Sequence, residues 1–212
     1  MRKNMIRKIL FIIAIVGFVN ANAQDINTLF IGMPDSISPL LTKVNRQDFA
    51  DFLASDMKAE VKNRFGGNSE MLELTNDYLK INTTSVSSEE MKLLPVNDSV
   101  KVICLVRTFK APAADSDIKF YSTDWKELPS ENFLKFPEQN DFYITSPDSI
   151  GDVANKADMS LIKAELSLSD NIISFYFTTP DYLDKESAEE LKKYVSDKPL
   201  VYRWREGRFV KE

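Results

Sequence analysis

The sequence predicts an α+β fold in which a few helices pack on mostly antiparallel sheets. Short segments alternate apolar and polar residues, as in 59–65, 100–109 and 162–168, and this period of two is typical of half-buried strands. Turn residues rich in Gly, Asn and Asp join consecutive segments, so neighbours in the sequence should pair. Helical spacing of apolar residues occurs near 38–57 and 185–195.

The N-terminal half, residues 24–128, is predicted to contain a helical region followed by a β-meander. The apolar segment 29–34 is interpreted as an edge strand, and Ser38 before Pro39 is interpreted as a helix start. Apolar residues on both faces of 100–109 predict an interior strand. The other strands of this half are expected in 59–65, 71–74, 78–84, 91–95 and 118–125.

The C-terminal half, residues 159–212, is predicted to be a hairpin, a helix and a second hairpin. Asp184 is placed to cap the helix, and strong alternation marks the first hairpin. Between the halves, residues 129–158 hold prolines and irregularly spaced apolar residues, which indicate a linker or a long crossing segment with a short strand at 142–144. One domain and two closely packed halves fit this pattern equally well.

Residues 1–23 have the composition of a secretory signal peptide. A basic start precedes an apolar run over 9–19, and a small-residue site at Ala21 and Ala23 favours cleavage between Ala23 and Gln24. The run is too short to span a bilayer, which needs roughly 20 apolar residues. We therefore expect export to the periplasm or cell surface of a Gram-negative bacterium; an uncleaved anchor is the alternative.

The charge balance excludes some partners. The chain has a formal net charge of −5, from 27 basic and 32 acidic residues. Removing the four basic residues of the signal leaves 23 basic residues and a net charge of −9. Nucleic-acid binding needs a positive surface, so a nucleic-acid partner is not expected. No membrane span is expected after signal cleavage.

The composition also removes several kinds of catalysis. The chain has no histidine and one cysteine, Cys104, which lies between apolar residues and is predicted to be buried. Ser-His-Asp and Cys-His mechanisms and the usual catalytic zinc sites all need histidine. No catalytic motif, cofactor motif or disulfide is predicted.

Acidic residues are candidates for a calcium site or for carboxylate-dependent catalysis. Asp115 and Asp117 flank the central hairpin and are candidate calcium ligands, and Asp181 and Asp184 open the last helix. Two carboxylates can hydrolyse a glycoside without histidine. Loop acids and helix caps are also ordinary surface features, so both interpretations stay open.

Aromatic residues suggest a binding surface. Tryptophan beside polar groups can stack on a sugar or anchor a partner. The strict alternation in 202–205 instead favours an arrangement in which Tyr202 and Trp204 face the core. The candidate surface consists of Asp124, Trp125, Tyr202, Trp204 and Arg205.

Three Asp-Ser-apolar triplets resemble the acceptor sequence for O-linked glycans on exported proteins of some gut bacteria. Their serines are Ser36, Ser99 and Ser149. All three fall in predicted turns or at element starts, where a glycan has room. Turn or capping chemistry is the competing interpretation.

Several runs together resemble domain-of-unknown-function family 3256, exported proteins of gut Gram-negative bacteria. The runs are FIGMPD at 30–35, RQDFAD at 46–51, the hairpin segment 56–70 and IKFYSTDW at 118–125. The likeness is clearest over 29–128. It implies export and an envelope location, and its motifs define no chemistry.

The function expected from these observations is a non-catalytic exported binding module whose partner is an envelope protein or glycan. Export, an acidic mature chain, strand-rich sheets with edges and the lack of a catalytic set all favour it. A carboxylate-dependent hydrolase acting on glycans is the first alternative. An inhibitor of an exported hydrolase is the second.

Overall fold

A computed structural model describes residues 25–145 and 159–212 of the chain. Within these residues there are three α-helices and two antiparallel sheets, so the predicted α+β class is confirmed. The helices are α1 (Ile26–Gly32), α2 (Lys43–Ala54) and α3 (Lys185–Lys192).

The larger sheet is a meander of seven strands in which each strand pairs with its neighbour in sequence. This agrees with the turn-rich spacing of its strands, because short turns favour antiparallel pairing of adjacent segments. Its strands are β1 (Glu60–Lys62), β2 (Asn68–Leu74), β3 (Tyr78–Thr84), β4 (Ser87–Pro95), β5 (Lys101–Phe109), β6 (Asp115–Ser122) and β7 (Glu127–Leu128).

The smaller sheet has four strands in the order β11-β10-β9-β8. Glu206 and Gly207 both have positive φ, and they form the tight turn between the last two strands. The strands are β8 (Ile162–Leu166), β9 (Ile172–Phe177), β10 (Leu200–Arg205) and β11 (Arg208–Lys211).

The large sheet is the middle of three layers. Successive side chains of its strands point to opposite faces, and both faces carry buried apolar residues. On one face it packs against α1 and α2 through Leu79, Ile81, Met91, Ile103 and Leu105. On the other face it packs against the small sheet through Val102, Cys104, Val106, Ile118 and Phe120. Residues 24–128 and 159–212 therefore share one of the two hydrophobic cores.

The segment 29–34 is a correction to the sequence prediction. It was expected to be an edge strand, but Ile26–Gly32 is a helix. Asp25 caps it by accepting a 2.7 Å hydrogen bond from the Thr28 N–H. Leu29 and Phe30 are buried against the large sheet, so tertiary packing outweighs the weak local pattern.

The helix predicted to start at Ser38 begins later, at Lys43. Ser38 is buried in an irregular loop, and the actual N-cap is Thr42, which forms a capping box with Asn45. Strand β4 is longer than the predicted 91–95, because Glu89 and Glu90 continue it as buried charged residues.

The described part of the predicted linker packs against the protein. Leu134 and Phe142 are buried in the core beside the small sheet. The strand expected at 142–144 is instead a 3₁₀ helix (Gln139–Phe142) followed by one bridge between Tyr143 and Val195. Residues 146–158 lie outside the described residues.

The two sheets are joined along the edge of β8. The N–H groups of Ile162, Ala164 and Leu166 point away from β9 and donate to side chains of the large sheet. Their acceptors are Asp115 Oδ1 at 3.0 Å, Ser116 Oγ at 2.9 Å and Glu90 Oε2 at 2.8 Å. Side chains therefore satisfy an edge that would otherwise present unpaired backbone groups.

The other sheet edges in the described residues are short or contacted by a loop. Strand β1 has three residues and β7 has two. On β11, the Phe209 N–H donates to the Phe133 carbonyl at 2.7 Å.

Replacing Ser116 with Ala should lower the free energy of unfolding by about 2 kcal/mol, because the Ala164 N–H loses its acceptor in a buried position. Urea denaturation measures this loss. The exposed Ser99 is the matched control, and Ser99→Ala should change the value by less than about 0.5 kcal/mol. Equal effects of the two substitutions would contradict the role given to Ser116.

Candidate functional site

A cleft of about 320 Å³ lies where the loop between α1 and α2 crosses the ends of β3, β4 and β5. We call this loop, residues 33–42, the 33–42 loop. It lies on the helix side of the large sheet, and its side chains form one wall of the cleft. The lining residues are Ser36, Ile37, Pro39, Leu40, Thr83, Ser87, Ser88, Glu89, Arg107 and Phe109.

Arg46 holds the 33–42 loop in place. Its side chain is 1% exposed and donates to the Leu41 carbonyl at 2.6 Å and to the Met33 carbonyl. It also pairs with Asp35 at 3.1 Å, and Arg64 pairs with the other oxygen of the same carboxylate. Because these contacts fix the loop backbone, the cleft wall is preformed.

An ion pair between Arg107 and Glu89 forms the base of the cleft. Arg107 Nε donates to Glu89 Oε1 at 2.9 Å, and Nη2 donates to the Ile37 carbonyl. Glu89 is only 6% exposed, yet among the described residues no donor reaches its second oxygen, Oε2. Buried polar atoms are normally hydrogen-bonded, so this oxygen lacks the partner that a buried carboxylate oxygen usually has.

The entrance to the cleft combines an aromatic ring with hydroxyl groups. Phe109 is 58% exposed, so much of its ring is open to solvent. Thr83 and Ser87 share a 2.8 Å hydrogen bond between their hydroxyls. A hydroxyl group can both donate and accept, so this lining suits a ligand with several polar groups and an apolar face.

A second cavity, of about 290 Å³, lies between the large sheet and β8 and contains two carboxylates. Glu90 bonds Lys80 at 2.8 Å, and Glu165 bonds Lys163 at 2.6 Å. Burial raises the pKa of Glu165, but the hydrogen bond and charge of Lys163 outweigh it and hold the pKa below its ordinary value of 4.5. A general acid needs a raised pKa, so Glu165 is poorly suited to act as the general acid of glycoside hydrolysis.

The five residues of the aromatic candidate surface are not brought together. Tyr202 and Trp204 lie in the core beside the small sheet, at 6% and 8% exposed, so their rings cannot form a surface. Trp125 packs on the opposite face of the large sheet, and its Nε1 donates to the Leu29 carbonyl at 3.1 Å. Asp124 and Arg205 are exposed, and Arg205 pairs with Glu212.

The acidic candidates are also separate. Asp115 accepts from the Ile162 N–H, and Asp117 is exposed on β6. Asp184 caps α3 by accepting from two backbone N–H groups, as expected. In residues 25–145 and 159–212, no three Cys, Asp or Glu side chains are grouped to hold a metal ion.

The modification and cleavage predictions fall partly outside the described residues. Ser36 and Ser99 are exposed in a turn and a bend, where an attached glycan would have room. Ser149, Ala23 and Gln24 lie outside the described residues. Cys104 is fully buried, and burial raises the pKa of its thiol, so it is not placed as a nucleophile.

Glu89, Arg107 and Phe109 were not identified from the sequence. Each is part of a strand, and the sequence pattern of 100–109 placed Arg107 and Phe109 on one face without distinguishing core from cleft. A possible signal was the opposite charge of Glu89 and Arg107 within two apolar strands expected to lie close together, because buried charges are normally paired.

A family model described as "Protein of unknown function (DUF3256)" matches residues 18–209. The chain belongs to family DUF3256. The resemblance seen in the runs at 30–35, 46–51, 56–70 and 118–125 is thereby confirmed.

A solved structure also resembles this DUF3256 chain. It is a domain of an uncharacterized protein from Porphyromonas gingivalis W83, with 31% sequence identity and a TM-score of 0.79. The alignment covers 88% of this chain and 96% of that one. No curated protein matches the DUF3256 chain. No helix in the described part of the chain is long and apolar enough to cross a membrane.

Replacing Arg46 with Met should lower the free energy of unfolding by about 3 kcal/mol, because the carbonyls of Met33 and Leu41 lose a buried donor. Urea denaturation is the measurement. Arg205→Met is the control: this arginine is exposed, and its loss should cost less than about 1 kcal/mol. A small effect at Arg46 would show that the loop does not depend on it.

The stabilising effect of Glu165 should depend on pH. Its folded-state pKa is lowered, so the ionised carboxylate stabilises the fold above pH 4.5, and this contribution disappears as the pH falls through the folded-state pKa. Glu165→Gln should therefore be destabilising at pH 7 and much less so at pH 3. Denaturation of both proteins at each pH measures the difference.

Glu189 provides the control for this pH dependence. Its side chain is 69% exposed and forms only a 4.0 Å surface pair with Lys185. Glu189→Gln should change the free energy of unfolding by less than about 0.5 kcal/mol at either pH. A pH-independent effect of Glu165→Gln would contradict the lowered pKa.

Proposed function

We propose that this chain is an exported, non-catalytic binding module that captures a protein or glycan of the cell envelope in the cleft beside the 33–42 loop. The single observation that carries the proposal is the buried Glu89 Oε2, which has no donor among the described residues, in a residue that lines the larger of the two cavities described above. A ligand donor reaching this oxygen would satisfy it.

The rigidity of the cleft supports binding. Arg46, Arg64 and Arg107 together anchor the 33–42 loop from α2, the β1–β2 turn and β5. A preformed site avoids the entropy cost of ordering a loop when the ligand binds. The exposed Phe109 ring adds apolar area beside the polar base, a combination common in small-molecule sites.

The charged groups of the cleft favour binding over hydrolysis. Glycoside hydrolysis in most families uses two carboxyl groups, one of them a general acid. The cleft lining contains one carboxylate, Glu89, and it is already paired with Arg107. The cavity that does contain two carboxylates holds both against lysines. Export itself rests on the signal sequence at residues 1–23.

Binding should depend on the cleft. The mature chain from residue 24, immobilised on a sensor, should bind a solubilised envelope fraction of the bacterium that encodes it. Phe109→Ala should weaken that binding at least about tenfold, because the ring is the main apolar contact. Tyr182→Ala is the matched control: Tyr182 is an exposed aromatic away from the cleft, and its loss should have no effect.

Two results would contradict the proposal. The first is envelope binding that is equally strong in the intact chain, Phe109→Ala and Glu89→Gln. The second is the absence of any specific binding by the intact chain. Circular dichroism and urea denaturation of each variant separate lost binding from lost folding.

A further inference from the structure

We propose that the ligand of the cleft is a carbohydrate: a neutral sugar ring whose apolar face lies on Phe109 and whose hydroxyls bond Glu89 and the hydroxyl groups beside it. This inference rests on the binding function proposed above and specifies its ligand. It follows from the hydrogen-bonding need of Glu89, the charge already present beside it, and the groups at the cleft entrance.

Glu89 requires a hydrogen-bond donor. Oε1 is occupied by Arg107, whereas Oε2 is buried and accepts nothing from the described residues. Leaving a buried carboxylate oxygen without a partner is costly, and a ligand that donates to it recovers this cost. A purely apolar ligand or an anion would not meet this need.

The donor should be uncharged. The Arg107 guanidinium lies against Glu89, so the carboxylate is already paired with a positive charge. A lysine or arginine from a partner would bring a second cation close to Arg107, and like charges repel strongly in a partly buried site. A hydroxyl or amide group donates to Oε2 without this repulsion.

The lining distinguishes a sugar from a peptide. Three residues of the lining carry hydroxyl groups on the cleft side of the sheet: Ser36, Thr83 and Ser87. A sugar presents several adjacent hydroxyls, each able to donate and accept, and so matches a surface of this kind. Its other face is apolar and can lie on an exposed aromatic ring, which Phe109 supplies.

The size of the cleft sets the extent of the contact. Small-molecule sites usually measure about 300–1,000 Å³, and a cleft of about 320 Å³ is at the lower end of that range. We therefore infer that the cleft accommodates one end or one residue of a glycan, with any remaining chain lying in solvent.

The experiment is an NMR titration of the ¹⁵N-labelled mature chain with a panel of neutral methyl glycosides of glucose, galactose, mannose and N-acetylglucosamine. At least one should produce saturable chemical-shift changes centred on residues 36–40, 83–89 and 107–109. Phe109→Ala and Glu89→Gln should each weaken that binding at least about tenfold.

Two further variants make the result specific. Phe109→Tyr keeps an aromatic face and should retain binding, whereas Tyr182→Ala should leave it unchanged. If Glu89→Gln proves poorly folded by its NMR spectrum, Ser87→Ala removes a cleft hydroxyl without touching the ion pair and should weaken binding as well.

The outcomes separate this inference from the function on which it rests. If no glycoside shifts the cleft residues while an uncharged dipeptide amide does, the carbohydrate assignment is wrong and the binding function stands. Glycoside shifts located away from the cleft would also overturn the assignment. If, in addition, envelope binding does not depend on Phe109, both proposals fail.

Discussion

The placement of the small sheet depends on the hydrogen bonds that satisfy the outer edge of β8. Three backbone N–H groups there would be unpaired at the junction of two layers, and Asp115, Ser116 and Glu90 accept from all three. Apolar packing alone is non-directional and tolerates sliding of one layer over another. Directed hydrogen bonds to fixed side chains choose one position, and the core between Phe120 and Phe175 is built around it.

Two adjacent glutamates on β4 point to opposite faces of the large sheet. Glu90 faces the small sheet and is fully engaged with Lys80 and the Leu166 N–H. Glu89 faces the helix layer and is only half engaged, because Arg107 reaches one of its oxygens. The same rule, that buried polar atoms need partners, thus explains both a structural junction and a candidate binding site. The difference lies in whether the protein itself supplies the second partner.

Much of the fold followed from sequence patterns, and most of the candidate site did not. Alternation and turn residues predicted the meander and the C-terminal hairpins, because they report which face of a local segment is buried. Helix α1 was missed because its burial against the large sheet, rather than its own periodicity, stabilises it. The cleft depends on Arg46 and Arg107 reaching loop carbonyls far away in sequence, and no local pattern encodes such contacts.

The order of the large sheet has a consequence for how the chain reaches its native state. Each strand after β1 pairs with the strand that immediately precedes it, so the sheet can grow one hairpin at a time from its N-terminal edge. Contacts between nearby residues form quickly because little chain entropy is lost in closing short loops. Docking of β8 instead joins residues 76 apart, Glu90 and Leu166. The small sheet should therefore dock after the large sheet has formed. Formation of the junction between the two sheets should be the slow, late step of folding.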